Sequence, residues 1–217
     1  MTLVDLSHSI EDGMRAYPGF PSPNIGAFLT HKDSMPRYEN KASFYIGKVD
    51  MVCNVGTYID SPFHRYEQGK DLSQLPLEKI AGLPGVVLES TPHSDRSIDL
   101  ELSGSRDLAG RAVMIRTGWD ARWGTDSYWE PGPFLSDKSV DALVDIKPGL
   151  VGVDFWNIDD VKNPYRPAHT KLLAEEIPIV EHLSSLSSLP VEGFRFYAVP
   201  PKIVGGASFP VRAFADT

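Results

Sequence analysis

Apolar residues in this chain fall into short runs, some alternating with polar positions and some continuous, separated by stretches rich in glycine and proline. Alternation with period two marks a half-buried strand, and a short continuous run fits a strand buried on both faces. The pattern predicts strands over Leu3 to Leu6, Phe44 to Val52, Gly85 to Leu88, Ala112 to Arg116, Leu150 to Val153, Arg195 to Val199 and Val211 to Phe214. Helical spacing is rarer. Ser136 and Asp137, followed by Val140, Leu143 and Val144, join a capping residue to three-to-four spacing that ends near Pro148 and Gly149. A second helix fits Thr170 to Glu176, after which Pro178 disfavours helical geometry at Ile177 and opens a strand-like Ile177 to Val180. Many strands with few, short helices indicate an α/β fold with a mixed sheet. The 18 prolines and 18 glycines imply long, shaped loops. No fixed-period repeat or low-complexity segment appears.

With 217 residues, 41% of them hydrophobic, and no dividing linker, the chain reads as a single domain over 1–217. A net charge of -8 without a basic stripe argues against nucleic acid as a partner. No apolar run approaches membrane-spanning length, and the first residues carry Asp5 and His8 instead of a basic leader, so a soluble, unexported protein is expected. One cysteine, Cys53, excludes an internal disulfide framework and points to the cytoplasm.

Candidate chemistry concentrates between Asn54 and His64. If that stretch is extended, Asn54, Tyr58, Asp60 and His64 share one face. Gly56 permits close backbone approach, and Pro62 would end strand pairing and turn His64 back toward Asp60. Downstream, His169 precedes the second helix and Glu181 follows the strand after it. About seven helical residues descend roughly 10 Å and about four strand residues climb back roughly 13 Å, so these two side chains can finish side by side. Asp, His and Glu are the ligand types that hold Zn²⁺ or Mn²⁺ with a reactive water. Each of the four is equally a residue type found satisfied in cores and on surfaces. Tyr17, Phe20, Trp119, Trp123, Trp129, Phe155 and Trp156 sit in loop-like or strand-end segments and could wall an aromatic substrate pocket, Tyr17 and Trp156 foremost; ordinary packing is the competing reading. Cys53, on the opposite face of an extended run, reads as a buried inert thiol. His8 reads as structural, and His31, His93 and His182 as solvent-facing. Neither a Gly-x-Ser-x-Gly elbow nor a phosphate-cradling loop occurs.

The segment resembles the signature of the cyclase family, which includes bacterial kynurenine formamidases and isatin hydrolases: His-x-Gly-Thr-His-x-Asp-x-Pro-x-His. Gly56, Thr57, Asp60, Pro62 and His64 match it. Further landmarks are similar and in order: Asp5 to His8, Gly13-Met14, Tyr17 to Gly19, Arg116 to Trp119, Val151 to Asp154, the spacing of His169 to Glu181, and Pro210 to Ala213. The resemblance implies a swivelling β/β/α fold, assembled as a homodimer or homotetramer. It also implies two metal positions, one held by two leading histidines and the aspartate, the other by Asp60, His64, His169 and Glu181. Asn54 and Tyr58 stand where the leading imidazoles are expected, and neither a carboxamide nor a phenol replaces imidazole as a zinc ligand at neutral pH. One metal in the second position, an oxygen-richer site preferring Mn²⁺ or Mg²⁺, and a metal-free pocket all follow as alternatives. The expected function is hydrolysis of a non-peptide C–N bond in an arylformamide-like or cyclic amide, with His64 or His169 moving protons. The rivals are a metal-independent cyclase, isomerase or dehydratase of secondary metabolism using Tyr58, Asp60 and His64, with Tyr58 donating to an oxyanion and Asn54 facing the substrate, or a binding homologue.

Overall fold

Short β-branched segments, too apolar for any exposed face, supply the centre of a nine-stranded sheet. The computed structural model describes residues 2–102 and 107–217. In chain order its elements are β1 (Leu3–Asp5), β2 (Asn24–Leu29), α1 (His31–Ser34), β3 (Ile46–Asp50), β4 (Tyr58–Asp60), β5 (Ala81–Glu89), β6 (Ser97–Ile98), β7 (Ala112–Arg116), β8 (Phe134–Leu135), α2 (Asp137–Ile146), β9 (Leu150–Val153), α3 (Pro167–Ala174), β10 (Ile179–Glu181), β11 (Glu192–Tyr197), β12 (Ser208–Pro210) and β13 (Phe214–Asp216). The strand order is β1-β13-β11-β5-β7-β9-β10-β4-β12. β5, β7, β9 and β10 run parallel, and the flanking strands are antiparallel. Alternate residues of the parallel strands feed two cores. Val113, Ile115, Val151 and Val153 pack with Leu143 of α2 and Leu172 of α3, whereas Met114, Leu150 and Val180 pack on the other face with Phe196 and Leu186.

The sheet curls. β12 and β13 lie seven places apart in the strand order, roughly 34 Å in a flat sheet, yet only Val211–Ala213 join them, a span of at most ~14 Å. The predicted strand from Val211 to Phe214 is thereby corrected: that stretch is the crossing itself, with strands on either side. α2 forms as expected, with the Ser136 side chain accepting from the Ser139 amide and Lys147 ending the helix in a left-handed conformation. α3 starts at Pro167, ahead of the expected Thr170, because proline has no amide to leave unsatisfied there. Asp159 accepts from the next two amides, Ala168 and His169. β2 escaped the sequence pattern because its positions do not alternate in burial. It pairs with β3 alone as a two-stranded arm that leaves Phe28, Phe44, Tyr45, Ile46 and Val49 about half exposed or more. Among the described residues no helix is long and apolar enough to cross a membrane.

Candidate metal centre and active site

Strand register gathers the chemistry. Antiparallel pairing sets Tyr58 opposite Glu181 and Pro210, and Asp60 opposite Ile179 and Ser208. Opposed residues share a face of the sheet, as do residues two apart, so Tyr58, Asp60, Glu181 and Ser208 project together. The expected extended run from Asn54 to His64 is realised only over β4. Beyond it, Pro62–His64 form a 3-10 turn that brings His64 Nδ1 to 3.1 Å from Ser208 Oγ and 3.8 Å from Asp60 Oδ1. Before it, the chain bends through Gly56 at φ +65, and Asn54 Nδ2 donates to Asp60 Oδ1 at 3.4 Å. Cys53 is consequently exposed instead of buried, since the bend removes the alternation that placed it inside.

From α3, His169 Nε2 comes within 3.7 Å of Asp60 Oδ2 and 3.8 Å of Glu181 Oε1. Asp60, His64 and His169 each offer a ligand atom within 4.8 Å of the others. Asp60 Oδ2 is buried and has no hydrogen-bond partner among the described residues. A buried acceptor left bare is costly and demands an explanation. Glu181 differs: its Oε1 accepts from the Ile158 amide at 2.7 Å and its Oε2 from the Tyr58 hydroxyl. Asp159, which sequence spacing did not single out, accepts from His169 Nδ1 at 2.6 Å. With that hydrogen on Nδ1, Nε2 is the nitrogen that faces Asp60 and Glu181 and that a cation would take in place of a proton. Nothing in the motif pointed to Asp159, which reaches His169 only through the loop before α3.

Burial pushes the Glu181 carboxyl up to about 7, against the pull of His169 and with the charge of Asp60 adding to the rise. Burial alone would also raise Asp60, but His64, His169 and the Ser208 hydroxyl hold it below the usual range. Burial opposes a charge on His169 as well; the hydrogen bond to Asp159 and the nearby charges of Asp60 and Glu181 overcome it and raise the imidazole to about 10. Three buried carboxylates around one imidazole leave negative charge to be neutralised. Asp60, His64 and His169, with one bare carboxylate oxygen, fit a divalent cation of the zinc or manganese kind, and Glu181 stands at the edge of that group with both oxygens already accepting hydrogens.

Behind the centre lies an aromatic layer. His182, expected at the surface, is 3% exposed because β10 leads it inward at φ +59, between Tyr58 at 5.3 Å and Trp123 at 5.7 Å between ring centroids. Its Nδ1 meets the Tyr128 hydroxyl at 2.8 Å, and His8 stacks on Trp123 at 4.0 Å. Tyr17 packs 5.2 Å from Phe20 and 5.5 Å from Trp156, and Trp129 joins that group to His182. A cleft of about 340 Å³, lined by Ser9, Met14, Arg15, Trp123 and Trp129 among others, lies one aromatic layer away from the carboxylates. Burial lowers His8 to about 4 and His182 to about 3. Imidazoles kept neutral by the fold contribute stability that is present above about pH 6.5 and is lost as pH falls toward 4. The thermal midpoint should therefore drop by roughly 5 °C or more between pH 7 and pH 5. His182→Asn should flatten that slope in thermal scans, and an unchanged slope would contradict the assignment.

Fold and centre together define an α/β protein with a buried carboxylate–imidazole site ready for a divalent cation. Residues 4–160 match the cyclase family, described as "Putative cyclase". The chain is 30% identical over 215 residues to a kynurenine formamidase of Salinibacter ruber, covering 98% of this chain and 96% of that protein. Among solved structures it superimposes on isatin hydrolase A from Labrenzia aggregata with a TM-score of 0.79 at 20% identity, covering 99% and 93% of the two chains. A predicted metal-dependent hydrolase from Bacillus stearothermophilus gives 0.74 at 22% identity, covering 99% and 97%. The chain belongs to the cyclase family.

Proposed function

We propose that the chain is a hydrolase of non-peptide C–N bonds, acting on an arylformamide-like or cyclic amide substrate with one divalent cation, zinc or manganese. The observation that carries this reading is the buried, bare Asp60 Oδ2 aimed at His169 Nε2. The kynurenine formamidase from Salinibacter ruber supports the arylformamide side. Asp60, His64, His169 and Glu181 would hold the ion, which when bound polarises a carbonyl and lowers the pKa of a water. The protein's own groups supply the rest. Ser208 orients Asp60, Asp159 orients His169, and burial of Asp60, His169 and Glu181 keeps bulk water out. Water adds to the carbonyl carbon, the C–N bond breaks, and the nitrogen leaves as an amine with one proton while the new acid releases another. His64, whose side chain is 34% exposed, stands at the solvent edge of the cluster and would move that proton when freed from the ion. Tyr17, Phe20 and Trp156 offer flat apolar walls for an aryl group.

The metal-free reading needs a free Tyr58 hydroxyl. That hydroxyl is given to Glu181, and Tyr58 is 4% exposed. The apolar surface of the β2–β3 arm supports a homodimer or homotetramer, because an isolated two-stranded ribbon is marginal in water and a permanent second copy would cover it. Protein purified without chelator should carry about one zinc or manganese per chain. Chelation should abolish hydrolysis of an N-formylarylamine, and re-addition of the ion should restore it. Full activity in metal-free protein would end this reading.

A further inference from the structure

We propose that Tyr58 and Asn54 fill, with neutral hydrogen bonds, the space between Asp60 and Glu181 where a second cation would sit, so that the centre takes one ion on its His169 side only. This rests on the metal-dependent reading above and deepens it.

Each of the two carboxylates is divided between two environments. Asp60 Oδ1 accepts from the Ser208 hydroxyl and from the Asn54 amide, and Glu181 Oε2 accepts from the Tyr58 hydroxyl. The other oxygens, Asp60 Oδ2 and Glu181 Oε1, turn to His169 Nε2 at 3.7 and 3.8 Å. The first side is closed by hydrogens on both carboxylates, whereas on the second Asp60 Oδ2 has no partner among the described residues and faces the imidazole nitrogen an ion would take. Register makes this division firm, since Tyr58 sits directly opposite Glu181 on the paired strands β4 and β10. Asn54 and Tyr58 thus each cover one oxygen of a different carboxylate, Asn54 on Asp60 and Tyr58 on Glu181.

Neighbouring buried carboxylates repel, and either a cation or hydrogen-bond donors can relieve them. A phenol and a primary amide do so without charge, and they aim hydrogens at the carboxylate oxygens that a cation on this side would need. Imidazoles at the same two positions would instead present nitrogen lone pairs beside Asp60. The resemblance to a motif with histidines at both places indicates that the backbone accommodates them. Asn54 and Tyr58 thus decide how many ions the centre accepts.

The test is ion counting on the intact chain. Wild-type protein and the Asn54→His/Tyr58→His double variant are dialysed to equilibrium against Mn²⁺, and bound metal is quantified by elemental analysis. Electron paramagnetic resonance then distinguishes isolated from exchange-coupled Mn²⁺. The wild type should hold about one ion per chain with an isolated signal, and the double variant about two with a coupled signal. Two ions in the wild type overturn the inference however the variant behaves, and leave metal-dependent hydrolysis itself intact while correcting its ion count. A folded double variant still holding one ion also overturns it. A wild type that binds none overturns both readings, whereas failure of chelation to affect turnover strikes the hydrolase reading alone.

Discussion

Replacing Asp60 by asparagine should lower kcat/KM by roughly 10³-fold or more, about 4 kcal/mol of transition-state stabilisation, and strip the metal from the purified protein. The magnitude follows from where the charge lies. Asp60 is fully buried, and its Oδ2 is left without a hydrogen-bond partner among the described residues while facing His169 Nε2. Asparagine keeps the shape, and its carbonyl oxygen can still accept from Ser208 as Asp60 Oδ1 does. Its amide then points hydrogens at the space where the bare oxygen was, converting an anionic ligand into a donor. Its neighbours hold the Asp60 carboxyl below the usual range, so its charge stabilises the fold at neutral pH, and the metal-free variant should melt somewhat below the metal-free wild type. A folded variant that has lost both metal and activity separates a role in the centre from a role in packing. Retained metal and near-wild-type turnover in Asp60→Asn would remove Asp60 from the centre.

What could be read from the chain beforehand follows the range of the forces involved. β7 and β9 have the predicted bounds because continuous Val, Ile and Leu runs leave no other way to satisfy a backbone buried on both faces. α2 was legible through its Ser136 cap and apolar spacing, both local signals. The crossing at Val211–Ala213 was not legible, since its apolar residues are buried by the curl of a sheet whose ends meet, a property of nine strands and not of three residues. The same contrast holds at the centre. Asp60, His64, His169 and Glu181 could be nominated from ligand chemistry and motif, and the helix-then-strand estimate put His169 near Glu181. The roles of Asn54 and Tyr58 could not be read, because whether a carboxamide and a phenol face open space or a carboxylate depends on the register of β4 against β10. His182 failed for a related reason: polar neighbours in sequence said nothing of the aromatic layer that Trp123, Tyr128 and Trp129 close around it.

Asp159→Asn should weaken metal affinity by about 10–100-fold while leaving the fold in place. Asp159 is 2% exposed and accepts three hydrogens at once, from the Ala168 amide, the His169 amide and His169 Nδ1, with Arg166 Nε at 3.5 Å. Two of those bonds start α3 and the third sets the imidazole. An asparagine that keeps the Ala168 bond through its oxygen places its own amide where Oδ2 was, so that it meets both the His169 amide and Nδ1 as a donor. The ring must answer by accepting at Nδ1 and carrying its hydrogen on Nε2, the nitrogen that lies 3.7 Å from Asp60 Oδ2 and 3.8 Å from Glu181 Oε1. A hydrogen there blocks the lone pair an ion needs. Asp159 is thus a positioning residue, and its effect runs through the tautomer of His169. Titration of Co²⁺ into metal-free protein, followed by visible absorption, should show the weaker Kd and a lower intensity at saturation. The melting temperature of the metal-free variant should fall by only a few degrees, because the Ala168 bond survives and the His169 amide bond alone is lost. If Asp159→Asn bound Co²⁺ as tightly as the wild type, His169 would have to ligate through another arrangement or not at all. If instead the variant lost stability and affinity in proportion, Asp159 would be holding the start of α3 and nothing more.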